Sequence, residues 1–250
     1  MKTALVTGAT SGIGKATALM LAKLNYNLII TGRRLKRLQE FETELKKEFN
    51  IKVLILNFDI RDRKETKKQI DNLPEDFKNI DVLINNAGLA SGLSLIQDGD
   101  IDDWEKMIDT NVKGLLYISR AIMPRMVERK TGHIINISSI AGKETYFKGN
   151  VYCATKHAVE ALTKAMRIDM LSFGIKVTSI APGAVNTEFS FVRLGDKEAA
   201  DKVYEGLAPL YAQDIAEAVE FAVTRPAHVN INDILIMPTA QANSSHTHRV

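Results

Sequence analysis

Two side chains in the second half of the chain have the types and spacing of an acid–base pair. Tyr152 and Lys156 are four residues apart, so in a helix they lie on one face, a turn from each other. Free tyrosine has a pKa of about 10, too high for a base at neutral pH, and a neighbouring ammonium lowers that pKa because it favours the phenolate. The pair therefore predicts proton transfer between Tyr152 and a substrate oxygen.

A glycine-rich segment near the N-terminus has the features of a phosphate-binding turn. It reads Thr7-Gly8-Ala9-Thr10-Ser11-Gly12-Ile13-Gly14 and joins the first apolar run to the first amphipathic run. Glycine permits the backbone of a tight turn and lets it approach a pyrophosphate, and the helix that follows offers free amides to that anion. The spacing is GxxxGxG rather than GxGxxG, and glycine in such a turn can serve packing alone. Its place at the first strand–helix junction favours dinucleotide binding.

The end of the second apolar run indicates which dinucleotide. An acidic side chain at this point selects the free 2′-hydroxyl of NAD, but this chain has Arg33 and Arg34 there. Guanidinium groups pair well with a phosphate dianion. The alternative is an ordinary solvated turn, but together with the glycine-rich segment the arginines predict NADP as the cofactor.

The elements around these motifs predict a Rossmann-type α/β fold, a doubly wound parallel sheet of about seven strands with helices on both faces. Short β-branched runs without strict alternation are separated by longer amphipathic runs, which is typical of βαβ units. The predicted strands are Ala4–Thr7, Asn27–Thr31, Val53–Phe58, Val82–Asn85, His133–Ile137, Lys176–Ile180 and Ile234–Met237. The predicted helices are Gly12–Leu24, Leu35–Phe49, Arg63–Asn72, Asp102–Glu128, Asn150–Phe173 and Asp214–Thr224. With no repeat or linker, residues 1–250 are expected to form one domain, with a substrate lid at Asn186–Gly206.

Composition excludes several classes of function. The net charge is +3, from 33 basic and 30 acidic side chains spread along the chain, which argues against a nucleic-acid or membrane-binding surface. One cysteine, Cys153, cannot form an internal disulfide, and no segment has the pattern of a signal peptide or membrane span. We expect a soluble cytoplasmic protein. The histidines show no metal-ligand spacing, so we expect no metal.

On these residues and several others, the chain resembles the short-chain dehydrogenase/reductase family over essentially its whole length. Besides the glycine-rich turn and the Tyr-x-x-x-Lys pair, the matching positions are Asp59, the segment Asn85-Asn86-Ala87-Gly88, Asn111, Ser139 and Pro182-Gly183. Ser139 stands thirteen residues before Tyr152, the usual spacing of the family's serine, which favours it over Ser138. The presence of all these motifs in the same order identifies the family far more specifically than any single motif does.

The resemblance implies a role for each matching residue. The catalytic residues would be Asn111, Ser139, Tyr152 and Lys156, with Asn111 positioning a water in a proton relay and Lys156 also holding the nicotinamide ribose. The cofactor-binding residues would be Gly8, Thr10, Ser11, Gly12, Ile13, Gly14, Arg33, Arg34, Asp59, Ile60, Asn86, Ala87, Gly88, Tyr152, Lys156, Pro182, Gly183, Val185 and Thr187. Ser139 and Tyr152 would also bind the substrate. Family members commonly pair two long helices across two-fold axes, so the resemblance implies a homotetramer.

Two further segments resemble one branch of the family, the NADP-dependent 3-hydroxy acid dehydrogenases. They are Ala184–Arg193, in which the shared pattern is Thr187–Arg193, and Pro226–Asn232. The stretch between Pro182 and Thr187 is about one residue shorter than in that branch. A small acid such as serine, L-allo-threonine or 3-hydroxypropionate needs a cationic partner, and Arg193 is the candidate; the alternative is a surface arginine on a mobile loop. A broad carbonyl or 3-ketoacyl-thioester reductase remains a second hypothesis. A non-catalytic cofactor-binding regulator is a third, although it would have no need of the full set of catalytic residues.

Overall fold

Nine strands are present in the computed structural model, which describes residues 1–250. They are β1 (Thr3–Val6), β2 (Asn27–Gly32), β3 (Val53–Asn57), β4 (Val82–Asn85), β5 (His133–Ile137), β6 (Lys176–Pro182), β7 (Val185–Asn186), β8 (Leu210–Tyr211) and β9 (Asp233–Ile236). Seven of them form one sheet in the order β3-β2-β1-β4-β5-β6-β9, with every neighbouring pair parallel. β7 and β8 form a separate two-stranded sheet. The predicted parallel sheet is confirmed.

Helices cover both faces of the sheet. They are α1 (Gly12–Lys23), α2 (Leu35–Glu48), α3 (Arg63–Asp71), α4 (Ile101–Ile108), α5 (Leu115–Arg129), α6 (Asn150–Asp169), α7 (Phe189–Leu194), α8 (Lys197–Lys202) and α9 (Ala212–Val223). One apolar core joins α1, α2 and α9 to the sheet, and a second joins α3, α5 and α6 to the opposite face. β1, β4 and β5 are therefore buried at every residue, which explains their unbroken apolar runs. No helix has the length and apolar character that crossing a membrane requires.

The long helix predicted at Asp102–Glu128 is interrupted. α4 starts at Ile101, and Asp100 caps it by accepting a hydrogen bond from the backbone N–H of Asp102 at 2.8 Å. The segment Asp109–Gly114 is then a π-helix before α5 begins. A π-helix fits an extra residue into the turn and often marks a functional site. Here it contains Asn111.

The predicted lid has structure of its own. Asn186–Gly206 contains the two short helices α7 and α8, and β7 ends at its first residue. Backbone hydrogen bonds join it to the rest of the protein at α7 and at its last residue: Gly92 N–H donates to the carbonyl of Arg193 at 3.1 Å, and Val250 N–H donates to that of Gly206 at 3.0 Å. That this segment acts as a lid stays a prediction.

Candidate active site

The glycine-rich turn between β1 and α1 depends on the absence of side chains. Gly8 and Gly12 have φ angles of +67° and +51°, a region that disfavours other residues. A Cβ at Gly14 would lie 2.4 Å from the Gly8 carbonyl oxygen and 2.4 Å from Nδ2 of Asn86. That same Nδ2 donates to the carbonyl of Thr7 at 2.8 Å. The side chain of Asn86, at the end of β4, therefore holds the turn in place.

A cavity of about 650 Å³ lies beside this turn, at the carboxyl ends of the strands, where open parallel sheets bind ligands. Its volume is within the usual range for small-molecule sites. The predicted site residues that line it are Gly8, Thr10, Ser11, Gly12, Ile13, Arg33, Arg34, Asp59, Ile60, Asn86, Ala87, Gly88, Ser139, Tyr152, Lys156, Pro182, Gly183, Val185, Thr187 and Arg193. Gly14 and Asn111 are the two predicted residues that do not line the cavity. The glycine turn, its free amides and this cavity suit a dinucleotide.

Arg34 faces the turn at one end of the cavity. Its guanidinium donates to Oγ1 of Thr10 at 3.1 and 2.7 Å and to Oγ of Ser11 at 2.7 Å. Arg33 lies nearby, with Nη1 3.7 Å from Oδ2 of Asp59. Two guanidinium groups and two hydroxyls thus meet where Rossmann folds place the adenosine ribose, and this donor set suits a phosphate.

Arg34 also binds an acidic residue that the sequence-based site does not include. Its Nη1 lies 2.9 Å from Oε2 of Glu188, and Nη1 of Arg37 lies 2.7 Å from Oε1 of the same carboxylate. Partial burial alone would raise the pKa of Glu188, but the hydrogen bonds from the two arginines outweigh it and lower that pKa. The only sequence feature that points to Glu188 is its place in the Thr187–Arg193 segment. Its pairing with Arg34 could not be predicted, because the two residues are 154 positions apart in the chain.

Tyr152 and Lys156 both lie on α6 and are buried. The Lys156 ammonium donates to the carbonyl of Ile137 at 2.9 Å, and burial lowers its pKa to about 8. Burial is also the main influence on Tyr152 and raises its pKa; the charge of Tyr146 adds to this rise, while Ser139 and Arg193 oppose it. The pKa of Tyr152 is therefore raised rather than lowered in this structure, because burial outweighs the favourable contacts from Ser139 and Arg193. That Lys156 favours the phenolate stays a prediction.

Ser139 follows β5 in extended backbone and begins the short turn Ile140–Gly142. Its Oγ accepts a hydrogen bond from the N–H of Ala141 at 3.1 Å, and its hydroxyl also interacts with Tyr152. The hydroxyl of Ser138 is buried without a hydrogen-bond partner. Both serines line the cavity, but the one that interacts with Tyr152 is Ser139, at the thirteen-residue spacing.

Asn111 is held within the protein by three hydrogen bonds. Its amide donates to Leu89 O at 2.8 Å and to Thr155 Oγ1 at 3.0 Å, and its Oδ1 accepts from Leu89 N–H at 2.9 Å. A Cβ at Gly88 would lie 3.2 Å from Asn111 Oδ1 and 3.6 Å from Lys156 Nζ. Asn111 and Lys156 therefore converge on Gly88, but the amide of Asn111 mainly ties the π-helix to α6 and to the strand end after β4.

Arg193 lies in the last turn of α7 and its guanidinium lies close to Tyr152. The guanidinium carbon is 5.6 Å from the ring centroids of both Tyr146 and Tyr152. Nη1 donates to the Tyr146 hydroxyl at 2.8 Å and Nε to Gly92 O at 3.2 Å. Phe189, also on α7, has its ring centroid 5.7 Å from that of Tyr152. Phe189 belongs to the Thr187–Arg193 segment that the sequence analysis singles out, whereas Tyr146 is a further residue of this site that no sequence motif indicates.

Comparisons with known proteins agree with this geometry. A family model described as short chain dehydrogenase matches residues 2–195. An NADP-dependent 3-hydroxy acid dehydrogenase of Schizosaccharomyces pombe is 44% identical, with 99% of this chain and 96% of that protein covered. Sulfoacetaldehyde reductase 2 of Chromohalobacter salexigens is also 44% identical, covering 96% of each. The solved closed form of serine dehydrogenase complexed with NADP⁺ has a TM-score of 0.93 and 44% identity, with 99% of each chain covered.

Proposed function

Since the chain belongs to the short-chain dehydrogenase family, we propose that it is an NADP(H)-dependent oxidoreductase that interconverts a small 3-hydroxy acid and its carbonyl form. The observation that carries the substrate class is the position of Arg193, whose guanidinium lies 5.6 Å from the ring centroid of Tyr152 at the cavity wall. A permanent cation beside the acid–base residue suits a substrate with an anionic group close to its reacting carbon.

NADP(H), when bound, supplies or accepts the hydride. The glycine-rich turn offers its amides to the pyrophosphate. Arg33 and Arg34 hold the 2′-phosphate, assisted by the hydroxyls of Thr10 and Ser11 that Arg34 already contacts.

Proton transfer belongs to the residues on α6 and after β5. In reduction, the Tyr152 hydroxyl gives its proton to the carbonyl oxygen, and in oxidation the phenolate takes it back. The Ser139 hydroxyl hydrogen-bonds the same substrate oxygen and orients it. The Lys156 ammonium stabilises the phenolate, since the buried tyrosine has a raised pKa and needs a counter-charge. Asn111 keeps the π-helix and α6 in register.

Arg193 binds the substrate's acid group. Serine and 3-hydroxy acids carry a carboxylate, and sulfoacetaldehyde carries a sulfonate. The relatives reported above are therefore all named for a substrate with a small anionic group. Two guanidinium donors of Arg193 are bonded to Tyr146 and Gly92. This leaves Nη2 for the substrate and fixes the side chain in place before binding.

The proposal includes a homotetramer in a reducing, cytoplasmic compartment. The alanine side chains spaced along α6 do not pack on their own sheet: Ala154, Ala161 and Ala165 are exposed, and a face of small residues suits close pairing with a second copy. Cys153 is a free buried thiol. Light scattering at micromolar concentration tests the assembly, and a monomer would contradict it.

A substrate panel with NADP⁺ tests the function. It comprises serine, both threonine diastereomers, 3-hydroxyisobutyrate and a hydrophobic alcohol. We expect the acids to be oxidised with much higher kcat/KM than the alcohol. A preference for the alcohol would favour the broad carbonyl reductase instead. NADP⁺ binding without turnover of any compound, or of the matching carbonyl compounds with NADPH, would favour the non-catalytic regulator.

A further inference from the structure

A buried carboxylate lies directly behind the acid–base pair, and the mechanism above gives it no role. Glu160 follows Lys156 by one turn of α6, and its side chain is 7% exposed. Its Oε1 accepts a hydrogen bond from the Ser179 hydroxyl on β6 at 2.7 Å, and its Oε2 lies 3.4 Å from the ammonium of Lys143. Burying a carboxylate costs far more free energy than burying an apolar side chain of similar size. Packing alone does not explain a charge here.

Glu160 also lies under the turn that begins at Ser139. A Cβ at Gly142 would be 2.8 Å from the carbonyl oxygen of Lys156 and 3.0 Å from Cγ of Glu160, so this turn lies against α6 at those two residues. Lys143, the next residue, pairs with Glu160 and with Asp233 of β9. The carboxylate thus connects the elements that carry the serine, the lysine and the edge of the sheet.

We propose that Glu160 is a positioning residue of the acid–base site, whose buried negative charge keeps Lys156 as an ammonium and whose pairing with Lys143 fixes the serine turn on α6. It contacts neither substrate nor cofactor and acts through these two neighbours.

The charges around Lys156 support this role. Burial lowers its pKa to about 8, and the one charged group that raises it again is Glu160. The other charged or titratable side chains packed around the cluster are Lys143, Asp233 and Arg167, which act on Glu160 or on each other, and Tyr152 on the same helix. Without the charge of Glu160, the buried ammonium would have no nearby counter-charge and its pKa would fall further.

The sign of the effect follows from the active form of the enzyme. Reduction requires protonated Tyr152 together with the Lys156 ammonium, so kcat/KM declines as the pH rises through the pKa of the lysine. In the Glu160→Gln variant this decline should move to lower pH by about one unit, the shift expected when one close opposite charge is removed. The Ser179→Ala variant is the matched control, since it removes a hydrogen bond to the same carboxylate but keeps the charge. In this variant kcat/KM should decline over the same pH range as in the wild type.

Two measurements follow this shift across pH 5.5–9.5. One is kcat/KM for carbonyl reduction. The other is the Kd of NADPH, which should rise over the same pH range because Lys156 holds the ribose. A Glu160→Gln variant whose profiles coincide with the wild type would overturn the proposal. If this variant does not fold, Lys143→Met provides the opposite test. This variant removes a cation and leaves the charge of Glu160. The pH at which its kcat/KM declines should therefore not fall below that of the wild type, and a shift to lower pH would overturn the proposal.

The inference rests on the proposed oxidoreductase function, but the two fail separately. A wild type that oxidises no member of the panel and reduces none of the matching carbonyl compounds contradicts the function, while the pH dependence of NADPH binding still tests Glu160. An active wild type with an unshifted Glu160→Gln profile contradicts the role of Glu160 alone.

Discussion

Replacing Arg34 with alanine should convert an NADP-selective enzyme into one with little preference. The guanidinium makes contacts with Thr10 and Ser11 that a 2′-phosphate would share. Hydrogen bonds to charged groups contribute about 1.5–3 kcal/mol each. Because 42% of the Arg34 side chain is exposed, solvent screening favours the lower end, and about 1.5 kcal/mol corresponds to a roughly tenfold loss in kcat/KM with NADP. The value with NAD should change less than about twofold, since NAD has no phosphate at this position.

The assay compares kcat/KM for both cofactors with one saturating substrate. Arg37→Ala is the matched control, because Arg37 pairs with the same Glu188 but makes no hydrogen bond to the glycine-rich turn. It should affect NADP and NAD alike. Equal use of the two cofactors by the wild type, or an equal loss for both in Arg34→Ala, would refute the assignment of Arg34 to the 2′-phosphate.

Three more outcomes are expected. Tyr152→Phe keeps the buried ring but removes the transferable proton, so kcat should fall by about 100-fold or more while the thermal midpoint stays near that of the wild type; wild-type turnover would mean that another group transfers the proton. Arg193→Ala should lower kcat/KM for serine or 3-hydroxypropionate by roughly 30-fold or more, the loss of about 2 kcal/mol from a partly desolvated ion pair, and much less for a neutral alcohol; equal losses would show that Arg193 only supports the lid. Burial lowers the pKa of His133 to about 3 from 6.5, so its contribution to the free energy of unfolding is complete above about pH 6.5 and is lost at about 1.4 kcal/mol per unit as the pH falls towards 3. Urea denaturation at several pH values should therefore show a smaller acid dependence for His133→Gln, and parallel curves for the two proteins would contradict this.

The sequence predicts the fold well because its strongest signals are local. The apolar run His133–Ile137 is β5 with the same bounds, and each predicted strand of the main sheet overlaps an observed one. The π-helix at Asp109–Gly114 was not predicted, since one extra residue in a turn hardly changes a helical pattern. Helix ends are similarly weakly marked, and α6 stops at Asp169 rather than Phe173.

The site could be predicted only as far as its motifs reach. The spacing of Tyr152 and Lys156 predicts an acid–base pair, but the pKa of each residue depends on its burial, which the spacing does not indicate. The pairs Arg34–Glu188 and Glu160–Lys143 join residues from different elements, so neither has a local signature. Charged residues of this kind look like ordinary surface until the fold brings them together.

The strand order of the sheet also has a consequence for how the chain acquires its shape during synthesis. β1 emerges first and ends up inside the sheet, β2 and β3 extend the sheet on one side, and β4, β5, β6 and β9 then extend it on the other. Every new strand therefore joins an open edge, and none has to enter between two strands that are already paired. A growing polypeptide that folds from its N-terminus can complete the half that carries the glycine-rich turn while the ribosome is still adding the half that carries the tyrosine.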